Sequence, residues 1–405
     1  MEQTLSYVIV TPYTILKSRT GGVIARLLSR TDLDLVGAQV ITPDENFVHD
    51  YADSLRDQEK RNNGTAGELL AAYIERNLGP SGGRRHRFLL LIFRGEDACR
   101  KLSIVCGAFS PQDRIIDPLL YGETIRDTYA DYIVDHDDHK KIVYFEPAVL
   151  TPQRQDFAKE NMAIFLRHFK NDENIVHNLS YPDPSKVEKT LVIIKPDNWK
   201  YASGKPGNII EMFSRAGMRI VGTKLFRFSL NQAMDFYGPV ENALVGSMAP
   251  TFGLKAKEVL EKEFSITLSK DMERTLVESF GREYAVEQYG KLIEFMSGRR
   301  PSTCVPGSED KPGDVKCMII VYEGEGAVKK IRDVLGPTDP LKAPGGTVRR
   351  EFGSNVMVNT AHASDSVGSF EREKNIVKIE ENSLFSVIEE YLTEPVESGN
   401  DEPVD

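Results

Sequence analysis

The sequence predicts an α/β chain of the α+β sandwich kind, built from two ferredoxin-like split βαβ domains that each carry a helical insertion. Three observations predict it. A β-branched run stopped by proline stands at residues 7–12 and again at 191–196. Each is followed by a segment with apolar residues at helical spacing, then by a strand-like stretch holding Val36-Gly37 or Val221-Gly222. An apolar run ending in glycine then recurs at residues 89–95 and 318–324, and each opens a further helix that closes near Gly107 or Gly336.

Each element follows from its residues. Residues 7–10 and 191–194 are short, apolar and ended by Thr11-Pro12 and Lys195-Pro196, which marks buried strands entering turns. The segments beginning at Gly22 and Gly207 have the spacing of amphipathic helices. Residues 42–87 and 229–316 separate the second strand of each half from the late strand, and helical patterns beginning at Ala66 and Tyr289 mark them as insertions. The resulting division is a first domain at 1–170, a linker at 171–188, a second domain at 189–391 and an acidic tail at 392–405. The linker reading rests on Asp172-Glu173-Asn174 and Tyr181-Pro182-Asp183-Pro184. The tail is too poor in apolar residues to build a core.

Composition narrows the function classes. The chain has 405 residues, room for about two or three domains, with 40% hydrophobic and 28% charged residues. No apolar run approaches the roughly 18 to 20 residues of a membrane span, and Met1-Glu2-Gln3-Thr4 lacks the basic start of a secretory signal, so a cytoplasmic protein without a membrane partner is expected. Cys99, Cys106, Cys304 and Cys317 have neither the number nor the spacing of a disulfide framework or a zinc knuckle. A net charge of −10 argues against nucleic acid as a partner, so any phosphate must be gripped locally.

The densest chemical signal is Asn359-Thr-Ala-His362-Ala-Ser364-Asp365-Ser366, a histidine after a β-like run (355–358) and just before three residues suited to a helix N-cap. Taken alone it reads either as a structural histidine beside a cap or as a phosphate acceptor at a helix N-terminus. Around it stand Gly346-Thr-Val-Arg349-Arg-Glu-Phe352, Arg332-Asp-Val-Leu-Gly-Pro-Thr338-Asp-Pro340, Lys195-Pro196-Asp197, Asp235-Phe-Tyr237 and Glu373. Phosphoryl transfer is mostly positioning and charge neutralisation, so a nucleophile flanked by cations and a hydroxyl suits it.

In type and spacing these residues resemble the nucleoside diphosphate kinases, whose signature reads Asn, two residues, His, Gly, Ser, Asp, Ser; here the glycine is Ala363. The resemblance implies that ATP with Mg²⁺ phosphorylates His362 and that nucleoside diphosphates accept the group in a ping-pong cycle. It implies roles too: Glu373 orients His362, Ser364 supports Glu373, and Tyr237 supports Lys195. Lys195, Arg332, Thr338 and Arg349 would hold phosphates, Asn359 the sugar hydroxyl and β-phosphate oxygens, and Mg²⁺ would be held mainly by the phosphates without direct protein ligands. Two departures stand out: Val358 replaces a common arginine, and the base-stacking position falls on Gln288, beside Tyr289. A small homo-oligomer is expected. The rival class is a nucleotide-binding scaffold of the same fold.

Carried back onto the first half, the pattern loses its chemistry. Lys195 corresponds to Thr11, Arg332 to Ser103, Thr338 to Phe109 and Arg349 to Arg126, while His362 falls on Leu150. His139 lies at the right distance from Arg126 but precedes a strand-like run instead of a capped helix; that helix is expected after Thr151-Pro152. The first half thus reads as a non-catalytic duplicate packed on the second as a partner subunit would be. Other motifs have simpler readings: Gly324-Glu-Gly326 is a tight turn lacking the third glycine of a dinucleotide fingerprint, while residues 135–139 and 84–87 are solvated loops more than metal or nucleic-acid sites. No Gly-Lys-Ser/Thr loop occurs, which excludes a P-loop kinase.

Overall fold

The computed structural model describes residues 3–62, 66–83, 85–109, 124–134, 136, 142–177 and 179–393. In the N-terminal half the strands are β1 (Gln3–Val10), β2 (Asp34–Ile41), β3 (Phe88–Glu96), β4 (Asp131–Val134), β5 (Ile142–Glu146) and β6 (Val149–Leu150). Its helices are α1 (Pro12–Leu16), α2 (Thr20–Arg30), α3 (Glu45–Asn62), α4 (Gly67–Asn77), α5 (Ala98–Cys106), α6 (Ile125–Tyr129) and α7 (Gln155–Phe169). The C-terminal half has β7 (Val187–Ile194), β8 (Arg219–Phe226), β9 (Cys317–Glu325) and β10 (Ala361–Ala363). Its helices are α8 (Lys205–Ser214), α9 (Leu230–Phe264), α10 (Lys270–Leu276), α11 (Arg282–Ser297), α12 (Ala327–Leu335), α13 (Val348–Phe352), α14 (Val367–Val377) and α15 (Leu384–Thr393).

The two main sheets share one strand order. The first runs β2-β3-β1-β6 and the second, read the same way, β8-β9-β7-β10, with every neighbouring pair antiparallel. This is the split βαβ arrangement. The central strands are buried along nearly their whole length because both faces are covered. Val8 and Val10 of β1 belong to the core that continues into the C-terminal half, whereas Leu5, Tyr7 and Ile9 point into a separate core under α3 and α7.

The halves meet through equivalent helices. At the crossing of α2 and α8 a Cβ on Gly21 would lie 2.4 Å from Gly207 O, and one on Gly207 would lie 2.2 Å from Ala25 N, so only glycine allows the backbones this close. Beside them Lys316 bonds the Asp34 carboxylate and the Leu35 carbonyl of β2. The contact is of the self-complementary kind that a two-fold dimer makes.

Four expectations need correction. Residues 171–188 do not form a solvated linker: Asn174, Ile175 and Val176 are buried, Val176 N–H donates to Val221 O at 2.7 Å, and β7 begins at Val187. The second domain does not end as a closed unit at 391, because α15 runs on to Thr393 and buries Leu384, Phe385, Ile388 and Tyr391 in the N-terminal core. Its apolar stripe at i, i+1, i+4 and i+7 needs a groove, and β2 and α7 provide one. The helix expected after Thr151-Pro152 starts at Gln155, because the Thr151 hydroxyl donates to Tyr7 O and holds the chain against β1. Residues 355–358 form a turn, with Asn355 Oδ1 accepting from the N–H groups of Met357 and Val358. The acidic tail beyond Thr393, Arg84 and His139 lie outside the described residues.

Candidate active site

His362 sits inside β10, opposite Ile193 of β7. Its neighbours Ala361 and Ala363 are buried while 22% of its own side chain stays exposed, the alternation a strand imposes. Ser366 caps α14 by accepting from Ser369 N–H, and that helix carries Glu373 back beneath the histidine. Glu373, 3% exposed, accepts from His362 Nε2 at 3.1 Å through Oε1 and from Ser364 Oγ at 2.7 Å through Oε2. Ser364 Oγ in turn accepts from Leu191 N–H, and Arg372 Nη2 stands 3.6 Å from the carboxylate. A carboxylate can only accept, so the hydrogen lies on Nε2 and the Nδ1 lone pair is left to react. Phe236 and Tyr237, from the start of α9, stand edge-on to the imidazole with ring centroids 5.1 and 6.2 Å away.

Three cations converge on the segment carrying His362. Arg349 Nη2 donates to Ala361 O at 3.1 Å and Arg332 Nη1 lies 3.4 Å from Ala363 O, while Lys195 is tied in by its backbone N–H, which donates to Thr360 O at 3.0 Å. Lys195 is buried at the end of β7, and its Nζ donates to Asn359 Oδ1 at 2.7 Å. Burial, with the positive Arg349 nearby, brings its ammonium down to about 7; burial, with Arg332 nearby, brings Arg349 down to about 10. Anions would relieve both. Arg332 and Thr338 are exposed.

One implied contact is absent, and one implied nucleotide-binding residue is already engaged within the protein. Tyr237 does not bond Lys195: its hydroxyl is buried without a partner, and Asn359 takes that place. Asn359 is correspondingly occupied, its Nδ2 donating to Thr338 O and Val356 O, so it anchors the lysine and the loops instead of facing outward. Sequence reasoning missed Asn198, Phe236 and Arg372, although Asn198 follows the lysine motif directly and Phe236 adjoins Tyr237. Among the described residues no group of histidine, cysteine and carboxylate side chains is placed to hold a metal, and no helix is long and apolar enough to cross a membrane.

The corresponding place in the N-terminal half is closed. Leu150 pairs with Ile9 as His362 does with Ile193, and it is buried. Arg126 bonds Gly107 O and Val149 O as Arg349 bonds Gly336 O and Ala361 O, so this arginine ties the fold together in both halves. Over Arg126 lies the Phe109 ring, 3.6 Å from the guanidinium carbon, where Thr338 opens the C-terminal site to solvent.

A family model described as nucleoside diphosphate kinase matches residues 188–245 and 256–382. Among curated proteins, a nucleoside diphosphate kinase of Paracoccus denitrificans is 31% identical over 187 residues, 46% of this chain and 90% of that protein. One of Nitrosococcus oceani is 30% identical over 189 residues, 47% of this chain and 90% of its own length. Among solved structures, an NDP kinase from Pyrobaculum aerophilum is 28% identical, covers 47% of this chain and 94% of its own, and has a TM-score of 0.33.

Proposed function

The chain belongs to the nucleoside diphosphate kinase family, and from that premise we propose that its C-terminal half transfers the γ-phosphoryl group of ATP to nucleoside diphosphates through phosphohistidine on His362. The observation that carries the proposal is the His362–Glu373–Ser364 chain: it fixes the imidazole with Nδ1 free, in a segment flanked by Lys195, Arg332 and Arg349.

The Nδ1 lone pair forms a bond to the γ-phosphorus as the bond from that phosphorus to the β–γ bridging oxygen breaks, and ADP leaves with that oxygen. Glu373 stabilises the positive charge that builds on the ring. Lys195, brought down to about 7 by burial, regains full charge against the phosphates beside the charged Arg349, with Arg332 and Thr338 at the mouth. Mg²⁺ would come with the nucleotide and neutralise part of the phosphate charge; cations and a hydroxyl suit phosphate oxygens, not a protein-held metal. In the second half-reaction a terminal oxygen of a nucleoside diphosphate takes the group from Nδ1. Phe236 and Tyr237 shield one side of the imidazole from water.

We read the two sheets as a tandem duplication in which only the second copy keeps the chemistry and the first serves as a fused partner. The conserved strand order and the Leu150 and Phe109 replacements support this. A small homo-oligomer in the cytoplasm is part of the same reading; light scattering tests the assembly, and a monomer at working concentration would contradict it. Activity is tested by following label from γ-labelled ATP onto the protein and then onto GDP.

A further inference from the structure

Just past the lysine motif lies a lock that phosphoryl transfer does not itself require. Asn198 is buried, and its Nδ2 donates both to Lys195 O at 2.9 Å and to Thr360 O at 2.7 Å. Lys195 N–H donates to that same Thr360 carbonyl, so one amide closes a ring between the lysine loop and the residue leading into β10. Thr360 has φ +74°, a left-handed conformation that is strained for a threonine and persists only where its surroundings over-determine it. Two donors on its carbonyl do that. Asn198 Oδ1 accepts nothing, so the side chain is spent as a donor alone.

The lock continues into the N-terminal half. Trp199 Nε1 donates to Ile194 O at 3.2 Å, holding the end of β7 beside Lys195. Lys316 Nζ lies 5.3 Å from the Trp199 ring and is held by Asp34 and by Leu35 O at 3.1 Å, both on β2. The edge of the first sheet therefore reaches the lysine loop through two side chains.

We propose that Asn198 is a positioning residue that sets Lys195 against His362, and that the N-terminal half braces it through Asp34, Lys316 and Trp199. This rests on the phosphoryl-transfer reading above. A group misplaced by about 1 Å can cost roughly 100-fold in rate, so a lock that moves the ammonium by part of that distance governs transfer without touching substrate.

The test is a double-mutant cycle on the full chain, reading the rate of phosphohistidine formation from MgATP by rapid quench. Asn198→Ala should slow it roughly 10- to 100-fold with little change in KM, yet by less than about 2-fold in a Lys195→Ala background. Asp34→Ala, at an exposed site that folding tolerates, should slow it roughly 3-fold, and again have no effect in the Lys195→Ala background. Equal losses in both backgrounds, or a lowered Tm with an unchanged rate, would overturn the inference. If Asn198→Ala does not fold, the Asp34→Ala pair decides alone. Absence of label on the unmodified protein would overturn the underlying reading itself, and shows before any variant is compared.

Discussion

Glutamine in place of Glu373 keeps the side chain's shape and an oxygen that can accept from His362 Nε2, so the imidazole stays oriented while the negative charge is lost. That charge lies 3.1 Å from the ring nitrogen and is 3% exposed. Unit charges at that distance attract by about 5 kcal/mol at an effective dielectric of 20, an upper figure; a hydrogen bond to a charged group nets about 1.5 to 3 kcal/mol. At about 1.4 kcal/mol per tenfold, Glu373→Gln should slow phosphohistidine formation roughly 10- to 100-fold. Positive charge builds on the imidazole only as Nδ1 takes the phosphoryl group, so the loss belongs in kcat, with KM for ATP nearly unchanged. Rapid-quench labelling with γ-labelled ATP and Mg²⁺ measures it directly. A rate within about 3-fold of the unmodified protein, or a loss confined to KM, would refute the role assigned to the carboxylate.

Three further outcomes follow from the same geometry. Lys195 is lowered to about 7 by burial and by Arg349 nearby, well under its unfolded value of about 10.4, so between those limits the unfolded chain binds more protons and this group makes stability rise with pH. Denaturation at pH 7 and pH 9 should show that rise and Lys195→Met should remove it; ADP binding at pH 8 should take up protons, read by calorimetry in two buffers. Leu150→His placed in a His362→Ala protein should gain no label from ATP, because Thr11 replaces the lysine and Phe109 covers Arg126. Ile388→Ala, a fully buried position on α15, should cost about 2 to 5 kcal/mol in chemical denaturation and lower hydrogen-exchange protection in α7 of the N-terminal half.

The parts of the molecule written in local chemistry were legible in the sequence. The strands near Tyr7, Leu191, Leu89 and Met318 are apolar runs with clear ends, and their order predicts both sheets. Around His362 the residue types and spacing pointed to one cluster, and Lys195, Arg332, Arg349, Ser364 and Glu373 do lie around that strand. What could not be read depends on distant partners. A strand of three residues has no periodicity, so His362 looked like a residue after a strand instead of one within it. The stripe on α15 demands burial but does not say in which half, and the apolar pair Ile175-Val176 is too short among polar neighbours to announce its burial until Val221 supplies a backbone partner. Asn359 was expected to face the nucleotide; only the buried Lys195 ammonium, which needs an acceptor, shows why it turns inward.

The central claim is a phosphohistidine at position 362 and nowhere in the first half. Incubation with γ-labelled ATP and Mg²⁺, then acid and base treatment and a chase with GDP, tests it most directly. The account predicts a label that acid removes and base spares, that is lost in His362→Ala, and that moves onto GDP. A label that survives His362→Ala, or a protein that binds ATP and takes no label, would contradict it.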